Sequence, residues 1–169
     1  NENSYWKIKS IKSGCFPLIA DDSKIDQFFD QAKAKGNLLA THDPIAYQYA
    51  DIVIVDINLD VKKTSNQNYI LQDFDVELDG FKSAIGEIGS NCRDDVLVLV
   101  ETTVPPGSCQ NIVKPIIEEK LKQRGLTLEN YRLGHSYERV QPGPDYIDSI
   151  REMPRVFSGI NEASADAVK

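Results

Sequence analysis

Two short runs of branched apolar residues constrain the fold of this chain more than any other feature. They are residues 52–57 (IVIVDI) and 96–100 (VLVLV). A strand with one face in solvent alternates apolar and polar residues, whereas a nearly continuous apolar run is typical of a strand buried on both faces. Such strands occur where helices cover both sides of a parallel sheet, so the two runs favour an α/β fold.

Helical patterns lie between and after these runs. An apolar residue recurs every three or four positions from Leu78 to Ile88, which predicts a helix from about residue 73 to Asn91. Another helix is expected after the second run, and Pro115 within it predicts a kink or a split, because proline has no N–H to donate. The remaining patterns predict helices over 4–13, 21–35, 43–49 and from 161 onward, a loop over 58–72, and short strands at 38–41, 131–134 and 155–158.

Composition excludes several classes of partner. The formal net charge is −7, with 26 acidic and 19 basic residues and no long basic run, so nucleic acid is not an expected partner. No apolar run approaches the roughly 20 residues that span a membrane, and residues 1–13 contain no signal-peptide segment. The three cysteines lie far apart, as is typical of reduced thiols in a cytoplasmic protein, and no Cys or His has the spacing of metal ligands. We therefore predict a cytoplasmic chain without a metal site.

A pair of threonines lies just beyond the second apolar run, after Glu101. Thr102 and Thr103 precede Pro105-Pro106-Gly107, a rigid turn that leads into a helix. In open α/β sheets, ligands bind beyond the carboxyl ends of the strands, and the start of the next helix offers N–H groups to an anion. The two hydroxyls are therefore candidate ligand contacts. The segment is equally compatible with an ordinary strand-to-helix turn.

A second polar segment follows the strand predicted at 131–134. Glu138 and Arg139 lie there in a loop bounded by Pro142 and Gly143. A carboxylate at the carboxyl end of a strand can serve as an acid or base, and a guanidinium can clamp an anion. Taken alone, the pair is also typical of a solvent-exposed ion pair, which is common on protein surfaces.

Together the two segments resemble one enzyme family. Residues 102–108 (TTVPPGS) resemble the Ser-Thr-Val-Pro-Pro-Gly-Thr stretch of UDP-glucose/GDP-mannose dehydrogenases, and residues 136–143 (SYERVQPG) resemble their Ser-Pro-Glu-Arg-Val and Pro-Gly stretch. Residues 50–55 are similar to the strand before the family's Val-Pro-Thr-Pro loop, and residues 154–159 are similar to the stretch that closes its first domain. The resemblance covers nearly the whole chain in the right order.

The resemblance implies an enzyme that oxidises C6 of a nucleotide-linked sugar from alcohol to carboxylate with two molecules of NAD, through a thioester on a cysteine. Arg139-Val140 is more similar to the UDP-N-acetyl-mannosamine and UDP-N-acetyl-glucosamine branches than to the UDP-glucose branch. The implied substrate is therefore a UDP-N-acetylhexosamine. The implied full-length protein is a homodimer or larger and takes part in polysaccharide biosynthesis.

The resemblance also implies roles for individual residues. Thr103 matches the family threonine that orders water and cofactor near C6, and a hydroxyl suits this role because it both donates and accepts. Glu138 matches the glutamate implicated in proton transfer, so these two are the implied catalytic residues. The implied cofactor contacts are Asn58, Thr102 and Thr103, and the implied substrate contacts are Arg139 and Val140.

Several features depart from the family pattern. Leu59-Asp60 stands where the family has Thr-Pro, and Tyr137 stands where it has Pro. The family's Gly-rich turn would precede residue 1, and its catalytic Cys, Lys and Asn would follow residue 169. We therefore expect a truncated Rossmann-like α/β domain over 1–169, with a mainly parallel sheet, helices on both faces, and a last helix at 161–169 leading to a nucleotide-sugar domain. Alone, this chain is expected to be inactive and to bind NAD weakly.

Two alternatives remain open at this point. The departures at Leu59, Asp60 and Tyr137 favour a non-catalytic module that binds a nucleotide or a protein partner through a degenerate site. A different NAD(P)-dependent enzyme, such as a β-hydroxyacid dehydrogenase, would share the order of strands, although the Glu138-Arg139 loop argues against it.

Overall fold

The computed structural model describes residues 4–19, 21–59, 61–137, 139–140 and 143–169. Contacts within the chain divide it into two units: unit 1 comprises Asn1–Asp43 and Arg139–Arg155, and unit 2 comprises Pro44–Glu138 and Val156–Lys169. The strands are β1 (Ile52–Val55), β2 (Val61–Ser65), β3 (Leu71–Val76), β4 (Leu97–Val100), β5 (Arg132–His135) and β6 (Ser158–Gly159). The helices are α1 (Tyr5–Lys12), α2 (Lys24–Ala34), α3 (Asp79–Asn91), α4 (Lys114–Gln123), α5 (Tyr146–Glu152) and α6 (Glu162–Val168).

Unit 2 contains a four-stranded sheet in the order β1-β4-β5-β6. β1, β4 and β5 are parallel, and β6 runs antiparallel to β5. The predicted mainly parallel α/β sheet is therefore confirmed. Because parallel strands point the same way, the carboxyl ends of β1, β4 and β5 lie along one edge of the sheet, which we call the carboxyl edge.

The core of unit 2 lies on one face of this sheet. The register places Val53, Val98 and Leu133 side by side on that face, because strand residues alternate between faces. α3 and α4 cover them, and they approach each other closely at Gly89, where a Cβ would lie 3.2 Å from the Cα of Ile117. The core side chains include Val53, Val55, Phe81, Ile85, Ile88, Val98, Val100, Val113, Ile117, Leu121 and Leu133.

α6 covers part of the opposite face. A Cβ at Gly134 would collide with Val168, the last residue of this helix. Asn161 caps α6, since its Oδ1 accepts a hydrogen bond from the N–H of Ser164 at 2.8 Å. The burial of β4 on both faces is confirmed, but the same prediction is wrong for β1: Ile52 and Ile54 are each 57% exposed. α6 packs against β4, β5 and β6.

A β-hairpin replaces most of the loop predicted over residues 58–72. β2 and β3 form an antiparallel pair, so α3 begins at Asp79 rather than near residue 73. The turn is fixed by Asn66, whose Oδ1 accepts hydrogen bonds from the N–H groups of Asn68 and Ile70. The hairpin begins at Val61, a few residues after β1 ends at Val55.

Two other predicted strands are shorter or missing. Residues 38–41 are not a strand, because within the described chain no other segment pairs with them, and a strand needs a partner for its backbone groups. The strand predicted at 155–158 is reduced to Ser158–Gly159. The predicted split at Pro115 is confirmed: a π-helical turn, Cys109–Val113, precedes α4.

Asp22 joins two segments of unit 1, and its pKa predicts how the stability of this unit depends on pH. The buried carboxylate accepts hydrogen bonds from the N–H groups of Ile147 (2.8 Å) and Lys24 (2.9 Å). These bonds, chiefly the one from Ile147, hold the pKa of Asp22 below its ordinary value. A carboxyl with a lowered pKa stabilises the fold above its ordinary pKa, and this contribution is lost as the pH falls through the lowered value.

The Asp22→Asn variant should therefore be less stable than the wild type at neutral pH, and the difference should disappear in acid. Thermal unfolding followed by the fluorescence of Trp6, the single tryptophan of the chain, would measure this in unit 1. A stability difference between the wild type and Asp22→Asn that stays constant from neutral pH to below the ordinary carboxyl pKa would contradict a lowered pKa at Asp22.

Candidate active site at the carboxyl edge

The structure places the start of the second segment, Ser136, beside the end of β4, from which the first segment continues. The N–H of Ser136, directly after β5, donates to the carbonyl of Val100 at the end of β4, at 3.1 Å. The N–H of Glu101 donates in turn to the carbonyl of Val55 at the end of β1, at 2.9 Å. The threonine pair therefore lies between the ends of β1 and β5. Glu138 and Asp60 lie outside the described residues.

The two threonines differ in exposure. Thr103 is exposed at the carboxyl edge, where its hydroxyl can meet a ligand. Thr102 is 3% exposed, and its Oγ1 accepts from the N–H of Ile57 at 2.8 Å and donates to the carbonyl of Val55 at 3.2 Å. The predicted cofactor contacts of both residues stay predictions, but only Thr103 presents its side chain to solvent.

A pocket of about 300 Å³ lies beside the end of β5. The tight turn before α4 forms one wall: Gly107 has a φ of +84°, and Oγ of Ser108 donates to the carbonyl of Pro105 at 2.7 Å. A positive φ favours glycine, so the Pro-Pro-Gly sequence has a local structural reason. The other walls are Leu133–His135 and Ser158–Ile160.

A second cleft, of about 400 Å³, lies at the end of β1. Asn58 is exposed there, next to the base of the hairpin and the first turn of α3, whose N–H groups have no partner within the helix. Lys62 and Glu77 form an ion pair in this cleft, and the Glu77 carboxylate raises the pKa of Lys62. The cleft is therefore polar and suited to a ligand with hydroxyl or amide groups.

The predicted substrate contacts belong to unit 1. Arg139 is exposed, with one guanidinium nitrogen 3.4 Å from the carbonyl of Pro154, and Val140 is half-buried. Their assignment to the sugar stays a prediction.

His135 is a further residue of the carboxyl edge, and no functional role was predicted for it from the sequence. Its Nε2 lies 3.4 Å from the carbonyl of Thr102, and its ring contacts that of Tyr137. The sequence signal that could have pointed to His135 is its position at the end of a predicted strand, directly before the second motif. Leu59, a departure from the family pattern, is half-buried against the core, where the hairpin begins.

The cysteines predict a simple pattern of chemical labelling. Cys15 is exposed, Cys92 is buried, and Cys109 lies half-buried in the pocket beside β5. Burial raises the pKa of both Cys92 and Cys109, and the thiolate is the reactive form. A thiol reagent at neutral pH should therefore modify Cys15 first, as mapped by peptide mass spectrometry. Labelling of Cys109 as fast as that of Cys15 would contradict the prediction.

In the part of the chain that the structure describes, no group of three or more His, Cys, Asp or Glu side chains is placed to hold a metal ion. Among the same residues, no helix combines the length and the apolar character needed to cross a bilayer.

Comparisons with known proteins assign the family. Residues 2–169 match the model of the UDP-glucose/GDP-mannose dehydrogenase family, NAD binding domain. The chain therefore belongs to the UDP-glucose/GDP-mannose dehydrogenase family, and NAD is the cofactor of the matched domain. This confirms the resemblance drawn from the two motifs and argues against a β-hydroxyacid dehydrogenase.

Individual relatives agree with this family. The chain is 26% identical to UDP-N-acetyl-D-mannosamine dehydrogenase of Methanococcus aeolicus over 96% of its own length and 33% of the relative's. It is 23% identical to UDP-glucose 6-dehydrogenase of Rickettsia conorii, over 99% of its length and 34% of the relative's. The chain thus spans about a third of the length of these relatives.

Solved structures share the fold. NDP-N-acetyl-D-galactosaminuronic acid dehydrogenase of Methanosarcina mazei superposes with a TM-score of 0.82 at 24% identity, covering 99% of this chain and 33% of that one. GDP-mannose dehydrogenase of Pseudomonas aeruginosa superposes with a TM-score of 0.75 at 22% identity, covering 96% and 35%.

Proposed function

We propose that this chain is the NAD-binding part of an enzyme that oxidises C6 of a UDP-sugar, a UDP-N-acetylhexosamine, to the carboxylate. The observation that carries the proposal is the carboxyl edge, where the Ser136–Val100 and Glu101–Val55 hydrogen bonds hold the start of the second motif beside the segment that contains the threonine pair. Ligands of open α/β sheets bind at this edge. The activity itself is proposed for the full-length protein.

The proposed reaction balances with two molecules of NAD. Conversion of a CH2OH group to a carboxylate removes two hydrides, adds one oxygen atom from water and releases three protons. NAD supplies the hydride acceptor in both oxidations. Thr103 would orient the C6 oxygen and the water, and Glu138 would accept protons. Arg139 and Val140 would hold the sugar part of the substrate.

The carboxyl edge fits one part of a dinucleotide. Asn58 and Thr103 supply exposed amide and hydroxyl groups, which suit a ribose or a carboxamide, and the cleft beside Asn58 is polar. The described residues contain no strand followed by a Gly-rich turn and a helix, which is the usual cradle of the pyrophosphate. We therefore assign Asn58 and Thr103 to the nicotinamide half of NAD.

Two observations support the choice of an N-acetylhexosamine. Arg139-Val140 follows the predicted catalytic Glu138, as in the resemblance to the N-acetylhexosamine branches. The relative from M. aeolicus is named a UDP-N-acetyl-D-mannosamine dehydrogenase, although the relative from R. conorii is named for UDP-glucose. By the same resemblance, we expect the full-length protein to be a homodimer or larger.

The test is NAD reduction by the purified full-length protein. The absorbance of reduced nicotinamide is followed with UDP-N-acetylmannosamine, UDP-N-acetylglucosamine and UDP-glucose, with UDP alone as the control. We expect about two reduced NAD molecules per sugar with one of the N-acetylhexosamines. Turnover of UDP-glucose alone would correct the substrate. Binding of NAD without turnover of any sugar would contradict the proposal and favour the non-catalytic module.

A further inference from the structure

Thr102 occupies the point where three parallel strands end, and its polar groups reach all three. It lies two residues after the end of β4, and its N–H and Oγ1 both donate to the carbonyl of Val55 at the end of β1, at 3.1 and 3.2 Å. Its carbonyl lies 3.4 Å from Nε2 of His135, the last residue of β5, a contact that requires a proton on Nε2. No other residue among those described has this combination of contacts.

The hydroxyl of Thr102 forms its hydrogen bonds with backbone groups of this chain. A hydroxyl has one proton, and Thr102 gives it to Val55, while its oxygen accepts from the N–H of Ile57 at 2.8 Å. The side chain is 3% exposed, so it does not present a donor to a ligand. Any effect of Thr102 on a bound molecule must therefore pass through the residues that it holds.

Ile57 and Thr102 itself adjoin the other two predicted cofactor contacts, Asn58 and Thr103. Ile57 precedes Asn58, and Thr102 precedes Thr103, so the Ile57–Thr102 hydrogen bond fixes the spacing of the two turns. We propose that Thr102 is a positioning residue, whose buried hydroxyl sets Asn58 and Thr103 at the separation that NAD requires. This inference rests on the proposed function, because it takes NAD as the ligand of the carboxyl edge.

Threonine suits this position for two reasons. Valine has nearly the same shape but no hydroxyl, so it would leave the N–H of Ile57 without its partner in a part-buried place. Serine keeps the hydroxyl but lacks the methyl group, which in threonine narrows the range of side-chain rotamers. A positioning role therefore predicts a large effect of valine and a small effect of serine.

The experiment compares Thr102→Val, Thr102→Ser and Thr127→Val in the full-length protein. Thr127 is a matched control, since its exposed Oγ1 also accepts a backbone N–H, from Glu129, remote from the carboxyl edge. NAD affinity is measured by calorimetry, and hydrogen exchange is measured in the peptide that covers Val55–Leu59. We expect Thr102→Val to weaken NAD binding about tenfold and to speed exchange in this peptide. The NAD affinity of Thr102→Ser should stay within about threefold of the wild-type value. The NAD affinity of Thr127→Val should equal that of the wild type.

Each result either supports or overturns the inference. Wild-type NAD affinity in a folded Thr102→Val protein overturns it, even if the variant is less heat-stable, because a purely structural role predicts that outcome. If Thr102→Val does not fold, Thr102→Ala replaces it, and alanine binding NAD as tightly as serine overturns the inference. Failure of the proposed function is a separate outcome, in which the wild type itself neither binds NAD nor reduces it with a UDP-sugar.

Discussion

Replacing Phe81 by alanine is expected to lower the free energy of unfolding of unit 2 by about 3–5 kcal/mol. Phe81 is fully buried in the third helix, in the core cluster between the helices and the sheet. The substitution removes the apolar area that the ring buries and leaves a cavity that close-packed neighbours fill only in part. Since a whole domain is stable by only about 5–15 kcal/mol, this is a large share of the total.

Urea unfolding followed by circular dichroism would measure the loss. Phe74→Ala is the matched control, because Phe74 lies on the hairpin and is 62% exposed. The control should change the free energy of unfolding by less than about 1 kcal/mol, as is usual for surface positions. Equal losses at Phe81 and Phe74 would contradict the assignment of the core.

Replacing Glu138 by glutamine is expected to lower the turnover number of the full-length protein about 10²- to 10⁴-fold, with little change in stability. The amide keeps the shape of the carboxylate but cannot accept a proton, and a positioned acid or base contributes a factor of this size. The prediction rests on the family resemblance of residues 136–140. NAD reduction in the presence of the UDP-sugar measures the turnover, and thermal unfolding measures the stability.

Glu129→Gln provides the matched control. Glu129 is exposed in the turn before β5, at the amino end of the strand and thus at the opposite edge of the sheet. Turnover of this variant should equal that of the wild type. If Glu138→Gln turns over as fast as Glu129→Gln, then Glu138 has no part in the chemistry.

Local sequence patterns predicted the elements whose burial depends on their own residues. β4 was predicted because each residue from Val96 to Val100 is apolar, and the structure buries or half-buries all five. The π-helical turn before Pro115 follows from one missing N–H. In these cases the information lies within a few residues.

Elements that depend on distant partners were missed. The two strands of the hairpin, Val-Lys-Lys-Thr-Ser and Leu-Gln-Asp-Phe-Asp-Val, are mostly exposed and do not alternate regularly between apolar and polar residues. Their pairing, for example of Lys62 with Asp75, was therefore not visible in the local pattern, and Asn66 at the turn was the strong local signal. Residues 38–41 show the reverse error, since an apolar run without a partner strand does not form a strand.

The location of the site could be predicted from the sequence, but the hydrogen bonds within it could not. Alternating helices and strands predict parallel strands, whose carboxyl ends share one edge, so Thr103 and the segment after β5 were expected at the same edge. That Thr102 turns its hydroxyl back to Val55 and Ile57 depends on how β1 and β4 are paired, which no single motif encodes.

Hydrogen exchange of the full-length protein with and without NAD tests most directly whether three strand ends form one cofactor site. If they do, NAD slows exchange together in the peptides that contain Asn58, Thr103 and Tyr137, while the hairpin turn near Asn68 is unaffected. Tight binding of NAD with unchanged exchange in those three peptides would contradict the account.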